Sequence, residues 1–254
     1  SQERTRQYQK YESLVRMAGA IAHRFNNDLQ AIIGNIEMAI TDCAEISPVP
    51  KALGAAMESA KKAASMAGLM VTYTGKKQAP KKRLDLTAWC ENNISRLISE
   101  FENRVVINLS PRRPGPVVSA SEAQILTLTE ALLKNAIEAS AKKPVSVTIF
   151  TGQVEAGSIS SEHRFPAGWN PEHMQYACLG VSDKGCGIAQ NDIEQIFDPF
   201  YTTGFTGRGL GLPMALGIAT AHSGGITVES IPGKGSTFRV FLPADGNGDE
   251  TLKI

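Results

Sequence analysis

Pro48 and Pro50 divide the first third of the chain. Neither fits inside a helix, because proline has no N–H to donate and its ring collides with the preceding turn. On both sides of the break the apolar residues keep helical spacing. Leu14, Ala18, Ile21, Phe25, Leu29, Ile32, Ile36 and Ala39 are separated by 4, 3, 4, 4, 3, 4 and 3 positions, one stripe of a helix. Leu53, Met57, Ala60, Ala64, Ala67 and Val71 run 4, 3, 4, 3, 4, an a/d heptad seam. The pattern predicts a helical hairpin turning at Ile46–Pro50. Two helices alone bury two such seams poorly. The expected solution is a homodimer packed as a four-helix bundle, with the small alanines allowing close approach.

The composition changes near residue 80. Residues 1–75 hold no convincing strand, and a basic stretch, Gly75 to Arg83, follows. Beyond it the pattern is mixed. Asp85 or Thr87 is placed to cap a helix carrying Trp89, Ile94, Leu97, Ile98 and Phe101. Val105–Leu109 reads as a strand, and a helix is expected from about Ser121, its cap, to Ala141. Val145–Ile149 alternates like a half-buried strand. Residues 152–175, rich in Gly, Ser, Pro and Glu, read as a loop. Tyr176–Val181 is a strand, 211–222 a helix, and 226–229 with 237–242 a closing hairpin. The expected division is therefore a helical hairpin at 1–75, a linker at 76–83, an α/β domain at 84–243 and a frayed tail at 244–254.

Lys and Arg number 26 against 25 Asp and Glu, a formal charge of +1. That balance argues against nucleic-acid binding through bulk positive charge. Hydrophobic residues at 42% supply a core, and no run approaches the roughly 18 apolar residues of a membrane span. No direct membrane contact is expected of this stretch, nor a signal peptide, since residues 1–12 are polar. The cysteines, Cys43, Cys90, Cys178 and Cys186, form no CxxC pair and read as reduced thiols of a cytoplasmic protein. The chain starts with Ser, so a processed or excised piece is expected.

The strongest chemical signal lies in the second half. Asp183-Lys184-Gly185-Cys186-Gly187 directly follows an apolar strand, and Gly207-Arg208-Gly209-Leu210-Gly211-Leu212 opens a helical pattern. Asn135 lies upstream on a helix. A carboxylate at the bottom of a pocket accepts a hydrogen bond from the exocyclic amine of adenine. Glycines after it let the base approach the backbone. Glycines before a helix present free N–H groups to phosphate oxygens. An amide oxygen on a facing helix helps to complete the shell of a magnesium ion. Each motif alone is weak: no GxxxxGK[ST] loop is present, and GxGxG matches the dinucleotide fingerprint poorly. Their order and intervals are more specific than any part.

At these residues the sequence resembles the sensor histidine kinases. Asn135-Ala136, Asp183 to Gly187, Phe197 to Thr203 and Gly207 to Gly211 are similar to that family's N, G1, F and G2 boxes. These belong to the wider ATPase group of gyrase, Hsp90 and MutL. Gly233-Lys234-Gly235-Ser236-Thr237-Phe238 is similar to the usual end of that domain. Ala22-His23-Arg24-Phe25-Asn26-Asn27 stands where the family places its phosphoacceptor. The resemblance covers roughly Leu14 to Pro243. It implies an α+β multidomain chain: a dimeric helical bundle followed by an α/β sandwich with a Bergerat-type ATP site. ATP and Mg2+ are the implied cofactors. Asn135, Asp183, Gly185, Gly187, Phe197, Thr203, Gly207, Gly209, Gly211 and Leu212 are the implied nucleotide contacts, and Asn135 also the metal contact. Phe197 and Phe200 equally suit simple hydrophobic anchoring.

Helix geometry bears on His23 independently. At about 100° per residue Ile21 and Phe25 average to one direction, and His23 points the opposite way. A neutral imidazole nitrogen is a competent nucleophile toward a γ-phosphate. Asn27, one turn later, faces the same side. In the resembling family a residue there positions the water that hydrolyses the partner's aspartyl-phosphate.

Two positions depart from the family. A carboxylate usually follows the phosphoacceptor as a base; here it is Arg24. A polar residue usually stands four positions before the N-box Asn; here it is Ala131, with Glu130 one residue off. The implied activity is a protein-histidine kinase that phosphorylates His23 and then an aspartate of a response-regulator receiver domain. The alternative is a phosphotransfer or phosphatase protein with little autokinase activity. An upstream sensor, membrane-anchored in some full-length proteins, is expected outside the sequence.

Overall fold

The computed structural model describes residues 29–30, 32–41, 53–54, 56–57, 60, 80–101, 104–140, 144–198, 201–202 and 209–245. The chain divides into two compact units, Ser1–Lys77 and Gln78–Ile254. In the first, residues 32–41 are helical, as are 53–54, 56–57 and 60. Ile33, Met57 and Ala60 form a small buried cluster, with Ile36 and Ile40 packed on it. Ile32 and Met38 remain 47% and 61% exposed.

The second unit runs β1 (Lys82–Asp85), α1 (Leu86–Glu100), β2 (Val105–Ser110), β3 (Val117–Ala120), α2 (Glu122–Glu138), β4 (Val145–Glu155), β5 (Arg164–Phe165), β6 (Gln175–Asp183), α3 (Gln190–Ile193), α4 (Gly211–Ala221), β7 (Gly225–Ile231) and β8 (Gly235–Pro243). Six strands form one sheet in the order β2-β4-β6-β8-β7-β5, antiparallel except for β2 with β4. β1 and β3 pair separately, and Lys82 and Arg83 of the basic stretch lie in β1.

Alternation along the strands sends Val147, Ile149, Leu179, Val181, Phe238 and Val240 to one face. There they meet Leu86 and Trp89 of α1, Leu128 and Leu132 of α2, and Ile218 of α4 in the main core. Asp85 begins α1 as its cap, its Oδ1 accepting the Ala88 N–H at 2.9 Å. Thr87 instead turns inward to Thr151 and the Arg112 carbonyl. Ser121 holds the cap position of α2 but its hydroxyl makes no capping bond, against expectation. Its N–H is occupied instead, donating to Nε2 of His222 at 3.2 Å.

The other face of the sheet is not bare. Val154, Tyr176, Cys178 and Phe241 form a second core there, covered by Ile159 and Trp169. Trp169 stacks on Phe241 at 6.4 Å and meets Tyr176 edge-on at 5.7 Å. The stretch 152–175, expected as a loop, therefore carries the end of β4, a 3-10 turn at Ala156–Ser158 and β5. Its glycines and serines concealed the alternation: Gly152, opposite Cys178, holds a buried position of β4 on this second face, where an apolar side chain would have marked it.

Candidate nucleotide site

The site is built around the end of β6. Ala177, Leu179 and Val181 point into the helix-covered core, and the period of two carries Asp183 to the same face. Asp183 is consequently 4% exposed although charged. Its Oδ1 accepts the N–H of Gly185 at 2.7 Å, and the Ser236 backbone N–H supports it as well. Burial nevertheless wins, and its pKa lies above the ordinary carboxylate value. Among the described residues no cation pairs with it. A buried carboxylate held by backbone N–H groups alone, with acceptor capacity to spare, suits a ligand that brings its own N–H, as the exocyclic amine of adenine does.

The turn after Asp183 lies against α2. The N–H of Cys186 donates to the carbonyl of Ala139 at 2.9 Å. Gly187 has φ +69°, and a Cβ there would stand 2.2 Å from the Ile231 carbonyl oxygen, so only glycine fits. Two turns back along α2, Ala131 faces Gly211, the first residue of α4, across 3.9 Å from its would-be Cβ. Half-buried Asn135 lies between them at helical spacing of four. Ala131, Asn135 and Ala139 thus line one face of α2 over about 12 Å. This face joins the turn after β6 to the start of α4.

α4 opens without a side-chain cap, and Pro213 has no N–H to offer. The N–H groups of Gly211 and Leu212 are left at the positive end of an 11-residue helix, a favourable place for phosphate oxygens. Gly209 has φ +63°, and Leu212 packs partly on the main core. Phe197 is 4% exposed and its ring centroid lies 4.5 Å from that of Phe165. Its side chain is part of the main core. His23, Arg24, Asn27, Thr203 and Gly207 lie outside the described residues.

Glu130, one position from the place where the family has its polar residue, has its pKa raised by burial and by Glu100, with Arg96 opposing. Both neighbours are on α1, while Ala131 is the residue that looks toward α4. Among the described residues no cluster of three His, Cys, Asp or Glu side chains is arranged to hold a metal. A magnesium ion here would be held largely by phosphate oxygens and water, with Asn135 as the protein ligand, which suits that ion's habits. A cavity of about 380 Å³ is lined by Lys81, His173, His222 and Asp245 among others, none of them an expected nucleotide contact.

Sequence reasoning missed Ser230 and Ser236, which hold the turn after β6. The sequence signal was Gly233 to Phe238, read only as a domain end. The register of β8 on β6, ending at Ser182 opposite Thr237, places it beside Asp183.

Residues 120–246 match the family described as Histidine kinase-, DNA gyrase B-, and HSP90-like ATPase. The chain belongs to that family, and its second unit has that family's α/β sandwich fold. Sensor kinase CckA of Brucella abortus is 31% identical over 242 residues, 93% of this chain and 25% of that protein. Signal transduction histidine-protein kinase AtoS of Escherichia coli is 39% identical over 110 residues, 43% of this chain and 18% of that protein. The chain thus spans a quarter or less of these relatives. The crystal structure of full-length ShkA in complex with AMPPNP shares the fold, with a TM-score of 0.66 at 18% identity over 90% of this chain and 46% of that one. Among the described residues no helix is long and apolar enough to cross a membrane.

Proposed function

We propose that the chain is the core of a sensor histidine kinase, taking the γ-phosphate of ATP onto His23 and passing it to an aspartate of a receiver domain. The observation that carries this is Asp183, a buried carboxylate that no cation among the described residues pairs with, at a turn seated on the helix that bears Asn135 and meets α4. Asp183 receives the adenine amine. The N–H groups of Gly211 and Leu212 face the phosphates, and Asn135 would help to hold a magnesium ion, which would supply charge neutralisation there. An imidazole nitrogen of His23 attacks the γ-phosphorus, the bond to the bridging oxygen breaks, and ADP leaves. Catalysis then rests on positioning and charge stabilisation. The first unit supplies His23 from a homodimeric bundle. Exposed Ile32, which lies on the apolar stripe, supports such a bundle, since a lone chain leaves it in water.

One observation favours a second reading, a phosphotransfer or phosphatase protein that uses His23 as a relay or Asn27 to place water. Glu130 has its charged neighbours on α1, and Arg24 stays protonated at any working pH. Neither Arg24 nor, at the position four before Asn135, Ala131 is a carboxylate. Incubation with γ-labelled ATP separates the readings. Label on the wild type, absent from His23→Ala, is expected. ATP binding without label in either protein leaves the relay or phosphatase reading, and no ATP binding removes both.

A further inference from the structure

The turn after β6 is gripped from two sides. On one side stands the Ala139 carbonyl at the end of α2, bonded to Cys186. On the other stands the tip of the β7–β8 hairpin. Gly233 donates its N–H to the Cys186 carbonyl at 2.7 Å, and Ile188 donates its N–H to Oγ of Ser230 at 2.8 Å. Gly235, with φ +106°, lies so close that a Cβ there would stand 2.1 Å from the carbonyl oxygen of Asp183. Ser230 is 8% exposed and its hydroxyl is fully used. It accepts from Ile188, it reaches the Gly235 carbonyl at 3.2 Å, and the Ser236 hydroxyl lies 3.0 Å away. Ser236 in turn gives its backbone N–H to Asp183. One hydroxyl therefore joins both ends of the turn, Asp183 through Ser236 and Ile188 directly.

We propose that Ser230 is a positioning residue for recognition of the purine base. It holds 183–188 in the shape that lets the Asp183 carboxylate and the Gly185–Gly187 backbone receive the ring. The proposal rests on the nucleotide-site reading above and narrows it to one half of the ligand. The three contacts of Ser230 run to the turn and the hairpin, while the N–H groups that face phosphates belong to α4. Removing the hydroxyl leaves the half-buried Ile188 N–H without its acceptor, a loss the turn relieves by shifting.

The test is calorimetric titration of ATP and of adenosine into the wild type, Ser230→Ala, Ser230→Thr and Ser182→Ala. The last removes a comparable hydroxyl pair, Ser182 with Thr237 at 2.8 Å, that has no bond to the turn. Ser230→Ala is expected to weaken ATP and adenosine by the same factor, roughly tenfold. Ser230→Thr restores both, and Ser182→Ala leaves adenosine affinity as it was. The thiol of exposed Cys186 gives a second readout in a Cys43→Ser background, because Cys90 and Cys178 are buried and pushed up to about 12. Its alkylation accelerates in Ser230→Ala and not in Ser182→Ala. Adenosine affinity unchanged in Ser230→Ala, or ATP weakened without adenosine, overturns the role while leaving the nucleotide site standing. A wild type that binds neither ligand overturns the site and this role with it.

Discussion

At the scale of single residues, two buried titratable groups set opposite demands on pH. Asp183 has a folded-state pKa above its unfolded value, so its folded form binds the proton more tightly. Its contribution to stability is lost as pH rises past about 4. At neutral pH the ionised group is a cost that binding offsets. Asp183→Asn is therefore expected to keep or raise Tm at pH 7 while weakening ATP by a charge-assisted hydrogen bond, about 1.5–3 kcal/mol; calorimetry and a melting curve on the same samples check both. His222 is 4% exposed. Its Nδ1 donates to the Ile218 carbonyl at 2.9 Å and its Nε2 accepts from Ser121, so both nitrogens are committed in the neutral ring. Burial lowers its pKa, the Ile218 bond opposes, and the Lys81 cation lowers it further. The unfolded state then takes up the proton first. Stability is complete above about pH 6.5 and falls as pH drops toward the folded pKa. Urea denaturation at pH 7.5 and 5.5 is expected to show a larger acid loss in the wild type than in His222→Gln.

At the scale of elements, the covering of the second sheet face makes a separable contribution. Trp169 is half-buried over Phe241 and Tyr176, so Trp169→Ala is expected to cost about 2 kcal/mol, less than the ~3–5 of a fully buried Trp. ATP affinity should stay unchanged, since none of these contacts reaches Asp183; chemical denaturation and a binding titration measure the two effects. The elements legible in the sequence were those long enough to carry a period. α2 and β6 have unbroken apolar patterns, and α4 is announced by Gly209 and Gly211. β1, β3 and β5, of four, four and two residues, are too short for a period to emerge and exist because a neighbour pairs with them. Asp183 and the glycines of the site were legible because their chemistry is local. Ser230 was not, because a serine in a strand shows its importance only when register brings another segment against it.

For the whole molecule, the proposed function gives the two units separate tasks, and a single substitution should part them. Ile32 lies on the apolar stripe yet is 47% exposed in one chain. Ile32→Glu is expected to turn a dimer into a monomer by light scattering and to abolish labelling of His23 where transfer needs the partner. ATP binding should survive, because Gln78–Ile254 holds its own core. A monomeric wild type at micromolar concentration would end the bundle proposal. The sheet's strand order has a different consequence, for the company the protein keeps in a crowded solution. Its two rims are unequal. One is closed by β5, which pairs with Ile226 and Thr227 and sets Arg164 at the margin, a short charged border of the kind that discourages strands from adding on. The other is β2, six residues that among the described residues pair on one side only, with Val106 49% exposed. If the domain begins to associate with copies of itself on warming, recruitment should start at β2, and a lysine at position 106 should delay it.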